Sequence, residues 1–423
     1  MKASEHDAPG GRDWTPTREK LLMLTLAAIN FTTILDFVII IPLGPQYISS
    51  FHITEKQFGV IVSAYGFAAG LSGLAAGFFM DRFDRKKALV WLYAGFTVGT
   101  LLCALSPTYP LLVAARCVAG LFGGIVGAVI LSIVGDVIPM ERRGAAMGVV
   151  MSAFSVSQII GVPIGLSLAD AYNWHVPFFV LAGLSALILA ATAYVTPPLR
   201  GHLEHATDEH PVARTWAIMT HPDHLRAFLF MAILTCAGFM IFPYIPDFLE
   251  MNAGLAPNQL KWLYLCGGLC TVFSMNLVGK WSDRSGKLKV FTITSLATAV
   301  PILLITNLPK VPLPLMMVSF TLLMVCMSAR FVPAMAMMTG AVSARDRGGF
   351  MSINSAVQQL SMALASDVAS RIISQGEDGR VLHFPINGLI SVVCAYTCIY
   401  LARFLRMPKQ NEAVAEPALA EVG

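Results

Sequence analysis

Apolar stretches of similar length, each closed by a short polar or charged break, recur from residue 21 to residue 405. A helix needs about 20 residues to cross a hydrocarbon core of about 30 Å. Stretches near that length lie at 21–45, 58–80, 88–105, 111–137, 145–168, 175–195, 227–249, 260–280, 290–307, 313–339, 349–374 and 384–405, which predicts twelve spans. The runs are continuous and lack period-2 alternation, so they read as helices rather than as strands of a barrel. The expected fold class is an all-α membrane protein. Six spans lie in residues 21–195 and six in 227–406, joined by a polar linker at 196–226 and flanked by polar tails at 1–20 and 407–423.

Composition agrees. Charged residues make up 13% of the 423, about half the roughly 25% of a soluble domain. Apolar residues reach 56% and mean hydropathy is +0.68. So few charges cannot cover a soluble surface, which excludes soluble-enzyme, secreted and nucleic-acid-binding readings. Residues 1–20 mix acidic with basic positions and precede an apolar run too long for a signal peptide. All eight cysteines lie inside apolar stretches, and a disulfide or metal site is not expected from them. Five of the nine histidines fall in the linker (His202, His205, His210, His221, His224) without the tight spacing of a metal site.

The placement of charge gives an expected topology. Of the 29 Lys and Arg, 22 lie in the N-terminal tail, the even-to-odd connections and the C-terminal segment. Lys56, Lys261, Lys310 and Arg380 lie on the other side, and Arg116, Arg330 and Arg371 fall within spans. The positive-inside rule then puts both termini in the cytoplasm.

An internal repeat is visible. Gly77–Lys87 reads GFFMDRFDRKK and Gly279–Lys289 reads GKWSDRSGKLK, and both fit G-x-x-x-D-R-x-x-[RK]-x-[RK] at an offset of 202 residues. Glu141–Gly148 (ERRGAAMG) and Arg345–Ser352 (RDRGGFMS) follow spans four and ten, with Arg143–Gly144 and Arg347–Gly348 offset by 204. Two motifs at nearly one offset indicate a duplication, and paired six-helix halves are one transporter architecture.

On these motifs the chain resembles the major facilitator superfamily, most of all its twelve-span drug:proton antiporters and sugar or metabolite efflux proteins. Two family motifs appear in altered form: Arg116 and Gly120 are present but Ala119 stands where the family has Gln, and Gly161-Val-Pro163-Ile-Gly165 is a shifted version of Gly-Pro-x-x-Gly-Gly. The resemblance implies two six-helix bundles around a central cavity, a small-molecule substrate, a bilayer as surroundings, a monomer, and a bacterial inner membrane as location. It also implies that the loop motif latches the halves on the cytoplasmic side. Gly77, Asp81, Arg82 and Arg85 form the first copy, with Asp81 facing a helix N-terminus of the other half and Arg85 pairing with Asp136. The second copy is Asp283, Arg284 and Lys287. Gly340 stands in place of Asp136 there, so the first copy is expected to be the stronger.

Charges within spans are costly and point to function. Asp36 lies 15 residues after Leu21, about 22 Å along a helix and so about 8 Å from the opposite face. Arg116 lies five residues after Leu111 in a span entering from that face, again about 8 Å deep. Matching depth predicts an Asp36–Arg116 pair: static, or a proton site in which burial favours the neutral carboxyl and the arginine favours the charged one. Arg330 lies mid-span beside Pro333 and is a candidate cavity residue, with Gln358 at comparable depth. Asn30, Tyr65 and Gln158 are further cavity candidates, equally suited to bonds between helices. Asp367 and Arg371, four apart, read as a pair within one helix. No phosphate-binding loop or nucleophile–base pair is present, so neither an enzyme nor an ATP-driven pump is expected. No cofactor is expected beyond the proton as coupling ion. The leading expectation is proton-coupled efflux of a small organic molecule by alternating access. A sugar or metabolite symporter or uniporter is the alternative of the same fold, and a non-transporting membrane sensor the alternative of another class.

Overall fold

The computed structural model describes residues 15–80, 83–197, 199, 211–342, 347–377 and 379–405. The first helix, α1 (Pro16–Val38), starts where Thr15 Oγ1 accepts from the Arg18 amide and Pro16 occupies the first turn. A turn at 39–43 leads to the short α2 (Gly44–Phe51). Thr54 and Gln57 form a capping box at the head of α3 (Glu55–Phe79). Next come α4 (Arg85–Leu105), α5 (Tyr109–Val137) and α6 (Met140–Val156), then a π-helical turn over Ser157–Gly161, α7 (Val162–Ala171) and α8 (His175–Val195). A linker helix, α9 (Pro211–Thr220), leads into the second half.

That half runs through α10 (Pro222–Phe239), the one-turn α11 (Ile245–Phe248), α12 (Leu260–Ser285), α13 (Lys287–Thr306), α14 (Leu313–Gly340), α15 (Arg347–Ile372) and α16 (Phe384–Ala402). Among the described residues, eleven stretches are long and apolar enough to span a bilayer. The twelfth bundle helix is α15, whose 26 residues cover about 39 Å. Its Asn354, Gln358 and Gln359 make it more polar, and it is packed between α3 and α10. The twelve-helix expectation holds, and two spans are interrupted. Pro163 cannot donate a backbone bond, and the helix opens into the π turn just before it. Pro243 and Pro246 break the seventh span into α10, a 3-10 turn over Phe242–Tyr244, α11 and a π turn over Leu249–Ala253 that ends at Gly254, φ +83°.

The apolar cores show how the halves meet. On the side away from the linker, one core contains residues of both: Tyr47, Phe58 and Val62 from the first, and Ile241, Tyr244, Phe248, Leu263 and Phe320 from the second. On the linker side the fully buried residues fall into separate cores, one around Leu26, Phe96 and Ile133 and the other around Phe230, Phe291 and Met337, with Leu74 of α3 packed against the second. Helix α9 touches both halves there. Thr215 Oγ1 donates to the Gly77 carbonyl at 3.2 Å, and a Cβ at Gly349 would lie 2.9 Å from Ile218. A two-residue hairpin, Ser374–Gln375 with Val381–Leu382, closes the far side between α15 and α16. The Asn252 side chain bonds both the N–H and the C=O of Val381 at 2.9 Å, tying the hairpin to the broken seventh span.

Candidate functional site

Four helices of the first half converge on one buried ion pair. Asp36 (α1) and Arg116 (α5) are both 0% exposed, with Nη1 2.7 Å from Oδ2. The same nitrogen reaches the Asp36 carbonyl at 3.3 Å, and Thr100 Oγ1 (α4) donates to Oδ1 at 2.9 Å. The Tyr65 ring (α3) lies under the guanidinium, 4.5 Å from its carbon to the ring centroid, within cation–π range. Glycine makes this closeness possible: a Cβ at Gly120 would strike the Tyr65 carbonyl, and one at Gly99 would lie 2.7 Å from the Ala119 backbone. Arg116 Nε and Nη2 are buried without a hydrogen-bond partner. The pair is thus tight but under-satisfied, a state whose desolvation cost offsets much of its attraction.

Other predicted residues fall in varied places. Arg85 Nε donates to Asp136 Oδ2 at 2.9 Å, joining the start of α4 to the end of α5 within one half. Gly77 takes the Thr215 bond, whereas Asp81 and Arg82 lie outside the described residues. In the second copy Asp283 and Arg284 are exposed and form no ion pair among the described residues, and Lys287 Nζ donates to the Ala336 carbonyl at 3.4 Å. Arg143, singled out with the repeat, donates to the Gly135 and Ile138 carbonyls at 2.6 and 3.3 Å and so caps the end of α5.

Arg330 is buried at 3% exposure, and among the described residues its one hydrogen bond goes to Met327 Sδ at 2.9 Å while Nη1 has no partner. The groups within electrostatic reach are the thiols of Cys326, Cys394 and Cys398. They place it inside the second half, between α14 and α16. Asn30 donates to the Val150 carbonyl at 2.9 Å, a bond between helices. Gln158 lies in the π turn with Oε1 unsatisfied, and its backbone lies 3.3 Å from where a Cβ at Gly268 of α12 would be, at a contact between halves. Gln358 is half-buried on α15. Asp367 and Arg371 pair at 2.9 Å along that helix.

One constellation was missed. Asp247 in α11 is 1% exposed with neither carboxylate oxygen bonded, and Glu55 in the first turn of α3 is 4% exposed with Oε2 unbonded. Asp247 lies two residues inside the end of the expected seventh span, so the rule that singled out Asp36 applied to it as well. Nearby, Lys261 of α12 reaches Asp170 of α7 at 3.5 Å, an ion pair between the halves.

The chain matches the family model described as Major Facilitator Superfamily over residues 26–256 and 227–421. It is 28% identical over 265 residues to the "Uncharacterized MFS-type transporter YceJ" of Bacillus subtilis (strain 168), covering 62% of this chain and 67% of that one. It is 23% identical over 275 residues to the "Probable sugar efflux transporter" of Helicobacter pylori (strain G27), covering 65% and 68%. Among solved structures, a bacterial homolog of the human lysosomal transporter Spinster, in an inward-facing and unoccupied conformation, superposes with a TM-score of 0.72 at 16% identity, over 93% of this chain and 98% of that one. A D-xylose-proton symporter gives 0.74 at 14%, over 92% and 98%. The duplicated loop motif, the paired bundles of membrane helices and the family match together make this chain a member of the Major Facilitator Superfamily, a multi-pass membrane transporter and not an enzyme.

Proposed function

We propose that this transporter couples proton movement to the export of a small organic molecule, with Asp36 as the coupling carboxylate and Arg116 as its partner. The observation that carries the reading is the sealed Asp36–Arg116 pair. A carboxylate held by one cation and one hydroxyl is poised to take a proton once a conformational change separates it from the cation. The arginine would then turn its unbonded Nε and Nη2 toward another acceptor. In this reading the linker side, which holds most Lys and Arg, faces the cytoplasm of a bacterium, and the protein works as a monomer in the plasma membrane. The joined core on the far side and the separate cores on the linker side suit a state closed to the outside, one of the two between which the halves rock. Export is favoured over import by the likeness to the efflux protein of H. pylori.

The test uses purified chain in liposomes with a pH-sensitive dye inside, an imposed proton gradient, and a panel of cationic drugs, neutral drugs and sugars. A substrate-triggered proton flux that falls to the empty-liposome level in Asp36→Asn, with substrate binding retained, supports the reading. Undiminished gradient-driven transport in Asp36→Asn overturns it. A flux whose sign marks co-movement of sugar and proton identifies the symporter alternative.

A further inference from the structure

We infer that Asp247 and Glu55 form a second proton-binding site, at the far-side seam between the two halves, whose occupancy locks that side shut. The reading stands apart from the role of Asp36, since it rests on other residues and on a conformational readout.

The seam is built from α2 and the head of α3 in the first half and from the broken seventh span in the second. Asp247 Oδ2 lies 2.9 Å from where a Cβ at Gly44 would be, and the Phe58 ring lies 3.0 Å from the same point. The carboxyl is therefore wedged against the Gly44 backbone and an aromatic wall. Phe58 is one turn beyond Glu55 on α3. Gly59 follows it, and a Cβ there would lie 2.7 Å from the Tyr244 hydroxyl. Tyr244 is one turn before Asp247. The turn bearing Asp247 thus faces the turn bearing Glu55, and their halves share one apolar core around them.

The charged surroundings are acidic. Glu55 on α3 and Glu250 on the π turn are the ionisable groups acting on Asp247. Asp170 of α7 acts on Glu250 in turn. Tyr244 hydrogen-bonds the Ser366 carbonyl at 2.8 Å, and the Tyr264 hydroxyl of α12, buried without a partner, lies within electrostatic reach of Asp247. Lys261, a cation of this region, is engaged by Asp170 at 3.5 Å. His52 and Lys56, beside Glu55 in sequence, point to solvent.

Two buried carboxylates borne by facing turns of an apolar seam, neither paired with a cation among the described residues, cannot both carry charge at low cost. A proton held there removes the repulsion and supplies a hydrogen-bond donor to oxygens that have none. Separation of the halves on the far side hydrates both groups and lets that proton leave to that side. A proton suits the space better than a metal ion, because Phe58 and the Gly44 backbone crowd the Asp247 oxygens where further ligands would have to stand.

Hydrogen–deuterium exchange of the full chain in liposomes tests this. The readout is the protection factor, which removes the intrinsic pH dependence, for amides in 44–58 and 242–253 between about pH 5 and about pH 9. If closure binds one proton, protection falls about tenfold per pH unit over the range in which only the closed state is protonated. Asp247→Asn, a neutral side chain of the same shape, should hold protection high and flatten that slope. Glu55→Gln should flatten it too, and it serves should Asp247→Asn fail to fold. Amides at the linker ends of α3 and α12 should not follow the slope. A pH-independent far side in the unmutated chain, or an unchanged slope in both variants, overturns the site. So does protection that follows added sodium at constant pH, which would mark a metal cation in place of the proton.

Discussion

The two copies of the loop motif share a sequence pattern and build different joints. In the first, α3 stops at Phe79, and Asp84 caps α4 by accepting the Lys86 amide at 2.9 Å. In the second, α12 continues through Asp283 to Ser285, and the chain turns on Gly286 alone, at φ +90°, a conformation open to glycine at little cost. The basic residue that follows also differs in what it finds: Arg85 meets the Asp136 carboxylate, and Lys287 meets a backbone carbonyl. The same contrast recurs inside the membrane, where Arg116 has Asp36 and Arg330 has Met327 Sδ. The duplication kept helices and breaks in register, while among the described residues the ion pairs that join different helices of one half lie in the first. The first half is therefore pinned by ion pairs across its own helices, and the second is held by apolar packing and weaker polar contacts.

The largest expected effect compares the two buried arginines. Arg116→Met leaves the Asp36 carboxylate buried with Thr100 as its remaining side-chain donor, and should cost about 3–5 kcal/mol. Arg330→Met removes a buried guanidinium that has no anionic partner among the described residues, and should be neutral or stabilise the chain by about 1 kcal/mol. Thermal unfolding of both full-length variants in one detergent decides it. Equal losses would mean that Arg330 is satisfied as well as Arg116 and would end the comparison.

The next effect lies at the loops. Arg85 is buried but its partner Asp136 is exposed to water, so Arg85→Ala should cost about 1 kcal/mol, the upper end for an ion pair with one end in water. Lys287→Ala gives up a long bond to a carbonyl and should cost less than about 0.5 kcal/mol. Hydrogen exchange should quicken at the head of α4 and the tail of α5 in the first variant, and leave the tail of α14 unchanged in the second. The reverse order would place the stronger joint in the second half.

Much of this was legible beforehand, for physical reasons. Span length is dictated by bilayer thickness, and a fixed rise per residue converts sequence position into depth, which is why Asp36 and Arg116 could be matched across 80 positions. Arg85–Asp136 came from the family likeness, since no spacing rule relates a loop residue to the end of the next helix but one. The interruptions at 157–161 and 239–254 were signalled by Pro163, Pro243 and Pro246, but hydropathy reads through proline as through any small residue. Helix α9 is short, and its partners Gly77 and Gly349 come from opposite halves, so its order is tertiary. The Glu55–Asp247 seam depends on the same kind of meeting: Asp247 falls just inside an expected span and was open to the rule for charges in spans, but Glu55 precedes one, where a charge reads as solvated until the other half is brought against it.

The smallest expected effect asks whether the missing charge alone separates the two joints. Gly340 occupies the place corresponding to Asp136, and a Cβ there meets nothing within 4 Å among the described residues, so Gly340→Asp fits without displacing any of them. Three terms then compete. Replacing glycine near a helix end gains a few tenths of a kcal/mol, and a carboxylate at a helix C-terminus loses about as much to the dipole. The remaining term is the new attraction to Lys287, which at a partly exposed site is worth about 0.5 kcal/mol. The single variant is therefore a poor readout, and the double-mutant cycle with Lys287→Ala is the informative one. A coupling of about 0.5 kcal/mol in thermal unfolding, lost in salt, shows that the second joint accepts the ion pair of the first. Zero coupling would mean that the turn on Gly286 aims Lys287 away from that position, and that the two joints differ in backbone path before they differ in charge.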